Sequence, residues 1–470
     1  MLFRRIYNDR LAQAAYLVAC QRTREAIVID PLRDPAPYLD AARQEGVRIA
    51  MVAETHVHAD FLSGAAALAQ AAGAELLLSG EGTGVAGYDR AAFPGARWLR
   101  DGERVTLGQV QLDVLHVPGH TPEHIAFLVT DSAASDAPMG LLSGDFLFVG
   151  DVGRPDLLER AAGMTGTMDA AAYQLFASLT RVAPLPDFVQ IWPGHGAGSA
   201  CGKALGAMPQ STLGYERLAN WAFNTSNEAD FAARVLAGQP EPPAYFARMK
   251  RMNAAGVPPL PQRRQRSDAN LRAAIDSGAL AVDVRPVSQF AAGHLKGSIN
   301  VPLEKSFLTW AGSVVPADRD VVLVAEAPLR AAAAAAVGEL QLIGLDRVLG
   351  ALVSAALSAL SSEPLVTLSS VAAAELGGAA AGARTVLDVR TRSEWQEGHI
   401  PGARHIPLAE LTSRLEELRD SGPIAVHCQS GSRSAVAASV LEAAGFENVS
   451  NVAGGYAAWA RAAHQPATGA

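Results

Sequence analysis

Over its first 260 or so positions the chain alternates short runs of apolar, β-branched residues with alanine-rich stretches. Apolar runs of about four to eight residues are typical of buried strands, whereas alanine favours helices. We therefore predict an α/β domain over residues 1–256, with a helical stretch near its end at 215–236. The predicted strands include residues 26–30, 76–78, 110–117 and 125–129.

Proline marks the end of this first pattern. Residues 257–261 read Val-Pro-Pro-Leu-Pro. Because proline lacks a backbone N–H, so dense a cluster cannot continue a helix or a central strand, and we predict a linker there. A second linker is predicted near residues 360–364. A length of 470 residues is in keeping with about three domains.

An internal repeat occupies the remainder of the chain. Residues 279–302 and 386–407 share a strand, a short helix and a second strand, with polar residues at matching positions. The matched pairs are Asp283 with Asp388, Arg285 with Arg390, and His294 with His399. The common spacing of all three pairs predicts two related α/β domains, at residues 265–355 and 365–465, so that the whole is a multidomain α/β protein.

Composition and charge exclude some classes of function. The net charge is -8 and no Lys/Arg block stands out, so we expect no nucleic-acid partner. No apolar run is long enough to span a bilayer, and the N-terminus lacks the apolar core of a signal peptide, so we expect no membrane partner. We expect a cytoplasmic homo-oligomer. The three cysteines, Cys20, Cys201 and Cys428, are too few for a disulfide framework.

Histidine and aspartate cluster just after apolar runs in the first domain. Side chains at several strand ends can converge on one point, whereas consecutive residues of one strand cannot. Imidazole and carboxylate suit Fe(II), Zn(II) and related metals, so the pattern predicts a metal site. The clustered residues are His56, His58, Asp60, His120, Asp145 and His195.

The order and context of these clusters resemble the metallo-β-lactamase superfamily, and within it the glyoxalase II and persulfide dioxygenase branch. The resemblance covers most of residues 1–250 and implies an αββα sandwich with the metal site at one edge. Glyoxalase II enzymes have a further histidine after the aspartate of their HxHxD run, which helps to hold a second metal. Here that position is Phe61, whose ring cannot ligate a metal.

Resemblance to the persulfide dioxygenases therefore implies a single Fe(II), held by His56, His120 and Asp145. Such a set leaves open positions on iron for O2 and a sulfur anion. The three other clustered residues are then expected to orient ligands or bound water, although an altered ligand set for a second metal stays open. These three residues are His58, Asp60 and His195.

Two further residues of the first domain are candidates for substrate binding. Arg154 is placed like an arginine that faces substrate in the resembling family, and could pair with a carboxylate of glutathione or a related thiol. The alternative is a structural pair with Asp156 or Asp151. Cys201 follows His195 closely and could carry sulfur, or could simply be a packing cysteine.

The second repeat contains a candidate nucleophile. Residues 423–434 predict a buried strand, a tight loop and a helix, with Cys428 at the helix N-terminus and Arg433 nearby. Inward-pointing amides of such a loop stabilise anionic sulfur. Cysteine phosphatases use a similar loop, but the run resembles the CxxGxR[ST] loop of rhodaneses, and the flanking signatures from residue 388 to residue 459 favour that family.

The first repeat departs from this pattern, because Ala325 stands at the position of the nucleophile when the two repeats are aligned on Arg330. We interpret residues 265–355 as an inactive rhodanese-like domain. The whole-chain order then resembles fusions of a persulfide dioxygenase with two rhodanese domains.

That resemblance implies oxidation of glutathione persulfide, or a related low-molecular-weight persulfide, by O2 to sulfite. Sulfur transfer through Cys428 would form or use thiosulfate, which together would limit sulfide toxicity. Two alternatives stay open. One is a zinc-dependent thioester hydrolase of the glyoxalase II type fused to a sulfurtransferase, and the other is a persulfide carrier protein.

Overall fold

A computed structural model shows two compact units, Met1–Leu260 and Pro261–Ala470. The structure describes residues 1–82, 87–160, 163–225, 227–261, 266–326, 329–357, 364–376 and 384–463.

The first unit is built on two six-stranded sheets. Strands of the first sheet lie in chain order, antiparallel from β1 to β3 and parallel from β3 to β6. They are β1 (Leu2–Asn8), β2 (Gln13–Cys20), β3 (Glu25–Ile29), β4 (Arg48–Ala53), β5 (Glu75–Ser79) and β6 (Arg97–Leu99). The second sheet also follows chain order, with only β10 and β11 parallel. Its strands are β7 (Arg104–Leu107), β8 (Val110–His116), β9 (Ile125–Asp131), β10 (Gly140–Gly144), β11 (Gln190–Pro193) and β12 (Ser211–Thr212).

The two sheets pack face to face, and helices cover their outer faces. Side chains from both sheets, such as Ile27 and Phe127, share one core. The outer face of the first sheet packs on α1 and α2, and that of the second sheet on α4 and α6. This arrangement is the αββα sandwich expected from the sequence. The helices are α1 (Ala36–Glu45), α2 (Ala65–Ala72), α3 (Leu157–Arg160), α4 (Met168–Val182), α5 (Leu213–Ala219), α6 (Glu228–Leu236) and α7 (Phe246–Ala255).

The second unit contains two parallel sheets, one for each sequence repeat. The first has the order β14-β13-β15-β16, with β13 (Leu280–Asp283), β14 (Ile299–Asn300), β15 (Val321–Ala325) and β16 (Val348–Val353). The second has the order β17-β21-β20-β18-β19, with β17 (Ser369–Ala372), β18 (Thr385–Asp388), β19 (Arg404–His405), β20 (Ile424–His427) and β21 (Val449–Ala453). Their helices are α8 (Asp268–Asp276), α9 (Val287–Ala292), α10 (Phe307–Val314), α11 (Leu329–Leu342), α12 (Arg392–Glu397), α13 (Leu408–Leu411), α14 (Ser432–Ala443) and α15 (Gly455–Ala463).

The strands predicted in the first domain correspond to β3, β5, β8 and β9, while the predicted helical stretch at 215–236 is two helices, α5 and α6. Residues 256–261 are not helical, and the Pro258 carbonyl accepts a hydrogen bond from Arg33 of the same unit. The second predicted linker falls almost entirely outside the described residues, and the division into three domains stays a prediction. Among the described helices, none has the length and apolar content needed to cross a membrane.

Candidate active sites

One edge of the sandwich brings four strand ends together. The loops after β4, β8, β10 and β11 carry the histidines and aspartates that cluster in the sequence. Gly144 makes the close approach possible, because a Cβ at this position would lie 2.6 Å from the Thr55 hydroxyl. A larger residue before Asp145 would therefore force these loops apart.

Three of the predicted ligands form a compact group. The side-chain ligand atoms of His56, His120 and Asp145 all lie within 4.8 Å of one another, and all three residues are buried. Asp145 Oδ2 lies 3.8 Å from His56 Nε2 and 3.5 Å from His120 Nε2. Two imidazoles and a carboxylate at this spacing can hold one divalent metal ion between them.

Hydrogen bonds fix which nitrogen of each histidine faces this group. His120 Nδ1 lies 3.0 Å from the Arg154 carbonyl oxygen, which can only accept, so Nδ1 carries the proton and Nε2 keeps its lone pair. His56 Nδ1 lies 2.9 Å from the Thr55 hydroxyl, which itself donates to Asp30. His56 Nδ1 must therefore be the donor, and its Nε2 is also available to a metal.

Asp30 organises the loop after β4 from the end of β3. Its Oδ1 accepts the Thr55 amide at 2.7 Å, and it lies 3.2 Å from His58 Nε2. Burial opposes a charge on His58, but Asp30 raises the pKa of this imidazole to about 9. The structure thus pairs His58 with Asp30 and leaves it out of the three-residue group.

A second group lies beside the first. The ligand atoms of Asp60, His195 and Cys201 are also buried and within 4.8 Å of one another. His195 Nε2 lies 3.3 Å from Asp60 Oδ2 and 3.5 Å from Asp145 Oδ1, so the Asp145 carboxylate stands between the two groups. Burial, followed by the charges of Asp60 and Asp145, raises the pKa of the Cys201 thiol well above its usual value.

The state of these groups suits a bound cation. Both carboxylate oxygens of Asp60 and of Asp145, and Nε2 of His195, are buried without a hydrogen-bond partner among the described residues. Burial and the neighbouring Asp60 raise the pKa of Asp145 to about 6. Burial also lowers the pKa of His120 to about 3, which keeps its lone pair free. Buried oxygen and nitrogen atoms that lack partners cost stability, and a divalent metal would remove that cost.

The second unit has its own candidate site at the carboxyl end of β20. Cys428 is buried and follows this strand directly, at the start of the loop that leads into α14. Its Sγ accepts a hydrogen bond from the Gly431 amide at 3.1 Å and lies 3.5 Å from the Ser434 hydroxyl. Donors that converge on a sulfur atom at a helix N-terminus stabilise negative charge on it.

Arg433, predicted as the positive charge of this loop, forms a two-pronged ion pair. Its Nη1 and Nη2 donate to the two carboxylate oxygens of Glu394 at 2.8 and 2.6 Å. Burial alone would raise the pKa of Glu394, but the Arg433 hydrogen bonds and the Thr391 amide lower it to about 2. Glu394 thereby holds the guanidinium in place beside the loop.

The first repeat keeps the framework of this site without its nucleophile. Arg285 donates to Asp283 and to the Gly293 carbonyl, as Arg390 does to Asp388 and Gly398 in the second repeat. The last residue of β15, however, is Ala325, whose methyl group is buried. Alanine cannot accept sulfur, so this domain lacks the chemistry of Cys428.

Comparison with known proteins relates both units of the chain to known families. Residues 8–195 match the model of the metallo-beta-lactamase superfamily. A crystal structure of a metallo-beta-lactamase from Staphylococcus aureus is 40% identical, with a TM-score of 0.66, and the match covers 75% of this chain and 99% of that one. The chain belongs to the metallo-beta-lactamase superfamily. Residues 267–350 and 372–462 each match the rhodanese-like domain, so two rhodanese-like domains follow the metallo-beta-lactamase domain.

Two further relatives bear on the metallo-beta-lactamase domain. A hydroxyacylglutathione hydrolase from Polaromonas sp. is 36% identical over 182 residues, which are 38% of this chain and 60% of that protein. The chain thus spans about 60% of this curated relative. The crystal structure of ETHE1 from Myxococcus xanthus is 25% identical, and the match covers 54% of this chain and 99% of that one. The TM-score of this match is 0.44.

Arg154 has a structural pairing in the metallo-beta-lactamase domain. It is fully buried, and its Nε and Nη2 each donate to Asp156 at 2.8 Å. It also donates to the carbonyl oxygens of Ala200 and Pro240. This geometry favours the Arg–Asp alternative, and binding of substrate by Arg154 stays a prediction.

Several residues that shape the metallo-beta-lactamase site were not singled out from the sequence. Asp30 and Thr55 orient His56, and His124 Nε2 accepts the Asp145 amide at 3.0 Å. Asn253 of α7 holds the loop after β4 through three hydrogen bonds, to residues 58, 61 and 63. An aspartate directly after an apolar strand was a readable signal for Asp30, but nothing near Asn253 in the sequence marks it.

Proposed function

We propose that this chain is a non-haem iron persulfide dioxygenase joined to a rhodanese sulfurtransferase. The substrate is glutathione persulfide or a related low-molecular-weight persulfide, and the products are sulfite and the free thiol. The sulfurtransferase forms or uses thiosulfate through Cys428. The observation that carries the proposal is the group of His56, His120 and Asp145, with Phe61 at the position of a possible further ligand.

The surroundings of Phe61 support a site for one metal rather than a site with a full second set of histidines. Phe61 is fully buried, and its ring lies 4.4 Å from that of His58. His58 in turn is bonded to Asp30. Two imidazoles and one carboxylate are the donor set of many non-haem Fe(II) oxygenases.

The overall oxidation of the persulfide balances without an added reductant. Persulfide, O2 and water give thiol, sulfite and two protons, so the terminal sulfur is oxidised and O2 is reduced. Fe(II), when bound, supplies open positions where O2 and a sulfur anion can meet. The chain orients the ligand nitrogens through Thr55 and the Arg154 carbonyl, and it keeps His56, His120 and Asp145 buried, away from bulk water.

The second reaction uses the loop that holds Cys428. The Cys428 thiol takes the terminal sulfur of the substrate persulfide and becomes a cysteine persulfide. The rest of the substrate leaves as a free thiol. Sulfite then attacks that outer sulfur, the S–S bond breaks, and thiosulfate leaves as Cys428 regains its thiol. The Gly431 amide and the Ser434 hydroxyl stabilise the sulfur anion at each stage.

A second candidate function is a zinc-dependent thioester hydrolase with a fused sulfurtransferase. It is favoured by the similarity to a hydroxyacylglutathione hydrolase and by the group of Asp60, His195 and Cys201, which could hold a second metal ion. Under that hypothesis two metal ions would flank the Asp145 carboxylate and activate a water molecule.

The two functions differ in metal content and in O2 consumption. The full-length protein would be purified without added metal, its metals counted per chain, and O2 uptake followed with glutathione persulfide. The dioxygenase proposal expects about one iron per chain, O2 uptake and sulfite formation. Two zinc ions per chain, cleavage of a glutathione thioester and no O2 uptake would replace it with the hydrolase.

The second metal group can be tested separately. Replacing Cys201 with serine removes a soft ligand and leaves His56, His120 and Asp145 in place. Under the one-iron proposal the metal count of the Cys201→Ser protein stays near one. A fall from two metals to one would show that Asp60, His195 and Cys201 hold a metal ion.

A further inference from the structure

A cavity of about 240 Å³ lies on the outer side of the first sheet. Its walls come from the first turn of α2, from β5, from the end of α7 and from the segment that follows α7. Among the described residues that line it, none belongs to either metal-binding group. The cavity is therefore a feature separate from the metal centre.

Most of the cavity wall is apolar. Leu76 and Leu78 of β5 line it, and both point away from the core that Leu77 shares with the second sheet. Phe93 and the alanines at the start of α2 line it as well. An apolar cavity of roughly 150 Å³ can hold a benzene molecule. The larger space here suits an apolar molecule of about the size of a substituted benzene ring.

The segment after α7 closes one side of this cavity. Residues 257–260 line it, and Arg33 Nη2 donates to the Pro258 carbonyl oxygen at 3.1 Å. Pro258 and Pro259 also restrict the backbone of this segment, because the proline ring fixes φ. A stiff, fastened wall is less able to collapse into the space beside it, which keeps the cavity open.

Glu54 brings a polar atom without a partner to this apolar space. It lines the cavity and is 2% exposed. Its Oε2 lies 2.8 Å from the hydroxyl of Tyr88, which is not part of the cavity wall. Its Oε1 has no hydrogen-bond partner among the described residues, and we assign this oxygen to the cavity side. A ligand that donates a hydrogen bond to Oε1 would remove the cost of burying it unpaired.

The hydrogen bonds of Tyr88 indicate that Glu54 Oε1 is an acceptor. The single hydroxyl hydrogen of Tyr88 is shared between Oε2 and the His56 carbonyl oxygen at 2.7 Å, which can only accept. If the hydrogen goes to His56, a proton on Oε2 completes the second contact and leaves Oε1 as an acceptor. If it goes to Oε2, Oε1 of the carboxylate is again an acceptor.

The charged groups of the wall select against an ionic ligand. The Arg33 guanidinium lines the cavity together with Glu54. An organic cation would therefore lie near a positive group, and an organic anion would face the carboxyl oxygen of Glu54. Moving either ion out of water into a mainly apolar space adds a further cost. A neutral molecule avoids all three penalties.

We propose that this cavity is a second small-molecule site, for a neutral and mainly apolar molecule that donates one hydrogen bond to Glu54 Oε1. An alcohol with an aromatic body has this chemistry. The site adjoins the loop after β4, because Ser63 and Asn253 line it and the Ser63 amide donates to Asn253 at 2.9 Å. Asn253 also donates to the carbonyl oxygens of His58 and Phe61, so the occupant contacts a residue that holds this loop.

The test uses four molecules of nearly the same shape. Benzyl alcohol has the proposed donor, toluene lacks it, and benzylammonium and benzoate carry opposite charges. Binding of each to the full-length protein is measured by isothermal titration calorimetry. Ala67→Phe fills the cavity from α2, and Glu54→Met removes the acceptor while keeping the length of the side chain. Ala71→Phe is the matched control, because Ala71 is an exposed residue of the same helix that does not line the cavity.

We expect benzyl alcohol to bind the parent and Ala71→Phe with the same saturable Kd. It should bind roughly tenfold more tightly than toluene, because a buried acceptor gains its partner. Benzylammonium and benzoate should both bind more weakly than the alcohol. Ala67→Phe should bind neither the alcohol nor toluene, and Glu54→Met should bind these two equally.

The absence of saturable benzyl alcohol binding to the parent would overturn the proposal, as would an unchanged Kd in Ala67→Phe. A preference for the alcohol that survives in Glu54→Met would overturn the role of Glu54, and toluene binding by this variant would show that its cavity is intact. Should Glu54→Met not fold, Ala67→Phe and Ala71→Phe still decide whether the cavity is the site. Tightest binding by benzylammonium would overturn the neutral ligand in favour of a cation.

This inference does not depend on the proposed dioxygenase function. The titrations contain neither persulfide nor O2, so their outcome and that of the O2-uptake experiment are independent.

Discussion

The Thr55 hydroxyl donates a hydrogen bond to the Asp30 carboxylate at 2.9 Å. The same oxygen accepts the Nδ1 proton of His56, also at 2.9 Å. A carboxylate, a hydroxyl and an imidazole therefore form one buried chain that ends at the His56 Nε2 lone pair. Such a chain fixes the orientation of a ligand and increases its basicity.

Breaking this chain should weaken metal binding without removing a ligand. We expect Thr55→Val to lower metal affinity roughly 10- to 100-fold, because His56 loses its acceptor and Asp30 loses a donor. Thr55→Ser keeps the hydroxyl and should behave like the parent. Competition with a chelator would measure both, and equal affinities for valine and serine would contradict the role assigned to this hydroxyl.

The affinity of the metal-free site for a metal ion should fall as the pH drops below about 6. Burial and Asp60 raise the pKa of Asp145 to about 6, whereas burial holds the pKa of His120 near 3. Asp145 is thus protonated before His120, and a protonated carboxylate competes poorly for a metal ion. Metal content after dialysis at pH 7, 6 and 5 would measure this, with Asp145→Asn expected to lack metal throughout.

The stability of the metal-free protein should change with pH in the opposite direction to its metal binding. A carboxyl group whose pKa is raised on folding stabilises the fold below its unfolded value, near 4, and that contribution is lost as the pH rises through about 6. Metal-free protein should therefore gain stability on acidification over this range relative to Asp145→Asn. Denaturant unfolding of both metal-free proteins would measure this, and a stability difference that does not vary between pH 4 and pH 7 would contradict the expectation.

A single substitution should abolish sulfur transfer without abolishing O2 uptake. Cys428→Ser removes the only nucleophile that the described repeats place at the end of the central strand, since the first repeat has Ala325 there. We expect thiosulfate-to-cyanide sulfur transfer to be lost and O2 uptake to remain largely intact. Sulfur transfer that survives this substitution would show that Cys428 is not the carrier.

Gly455 should be indispensable for the Cys428 loop. Its φ is +57°, and a Cβ there would lie 2.3 Å from the Cys428 carbonyl oxygen, which accepts the Tyr456 amide. Gly455→Ala should therefore displace the loop and lower sulfur transfer at least about tenfold. Gly445 is the matched control, because its φ is also positive but a Cβ there meets nothing within 4 Å.

Comparing Gly455→Ala with Gly445→Ala separates the effect of the Cβ contact from the effect of backbone strain. A positive φ alone costs alanine about 1–2 kcal/mol, and both variants should lose that much stability. Only Gly455→Ala should also lose sulfur transfer. Thermal unfolding and a transfer assay on both variants would decide, and equal transfer losses would refute the contact argument.

The ion pair of Arg433 and Glu394 should give the second unit a characteristic acid sensitivity. Arg433 and the Thr391 amide hold the pKa of Glu394 at about 2, well below its unfolded value. A depressed carboxyl pKa stabilises the fold above the unfolded value, near 4.5, and this contribution is lost as the pH falls towards 2.

Glu394→Gln should therefore be less stable than the parent at pH 7, and the gap should narrow between about pH 4.5 and pH 2. Glu397→Gln, an exposed position on the same helix, should show no such pH-dependent gap. Unfolding followed by denaturant titration across this range would measure both. A gap that stays constant with pH would show that the charge of Glu394 does not contribute.

The sequence by itself determined the type of fold and indicated which histidines and aspartates lie together at one edge of it. Apolar runs ending in histidine or aspartate predicted where strands end, and the repeat with Asp388 and Arg390 predicted two related domains. Such inferences succeed because strand periodicity and motif spacing are local properties of the chain. The substitution at Ala325 was readable for the same reason.

Only the tertiary structure decided how these residues pair. His58 follows His56 by two positions, yet it is bonded to Asp30 rather than to the three-residue group. Cys201 joins Asp60, although the two residues are far apart in the sequence. Packing and burial set such pairings and the pKa values that follow, because both depend on which loops converge in three dimensions.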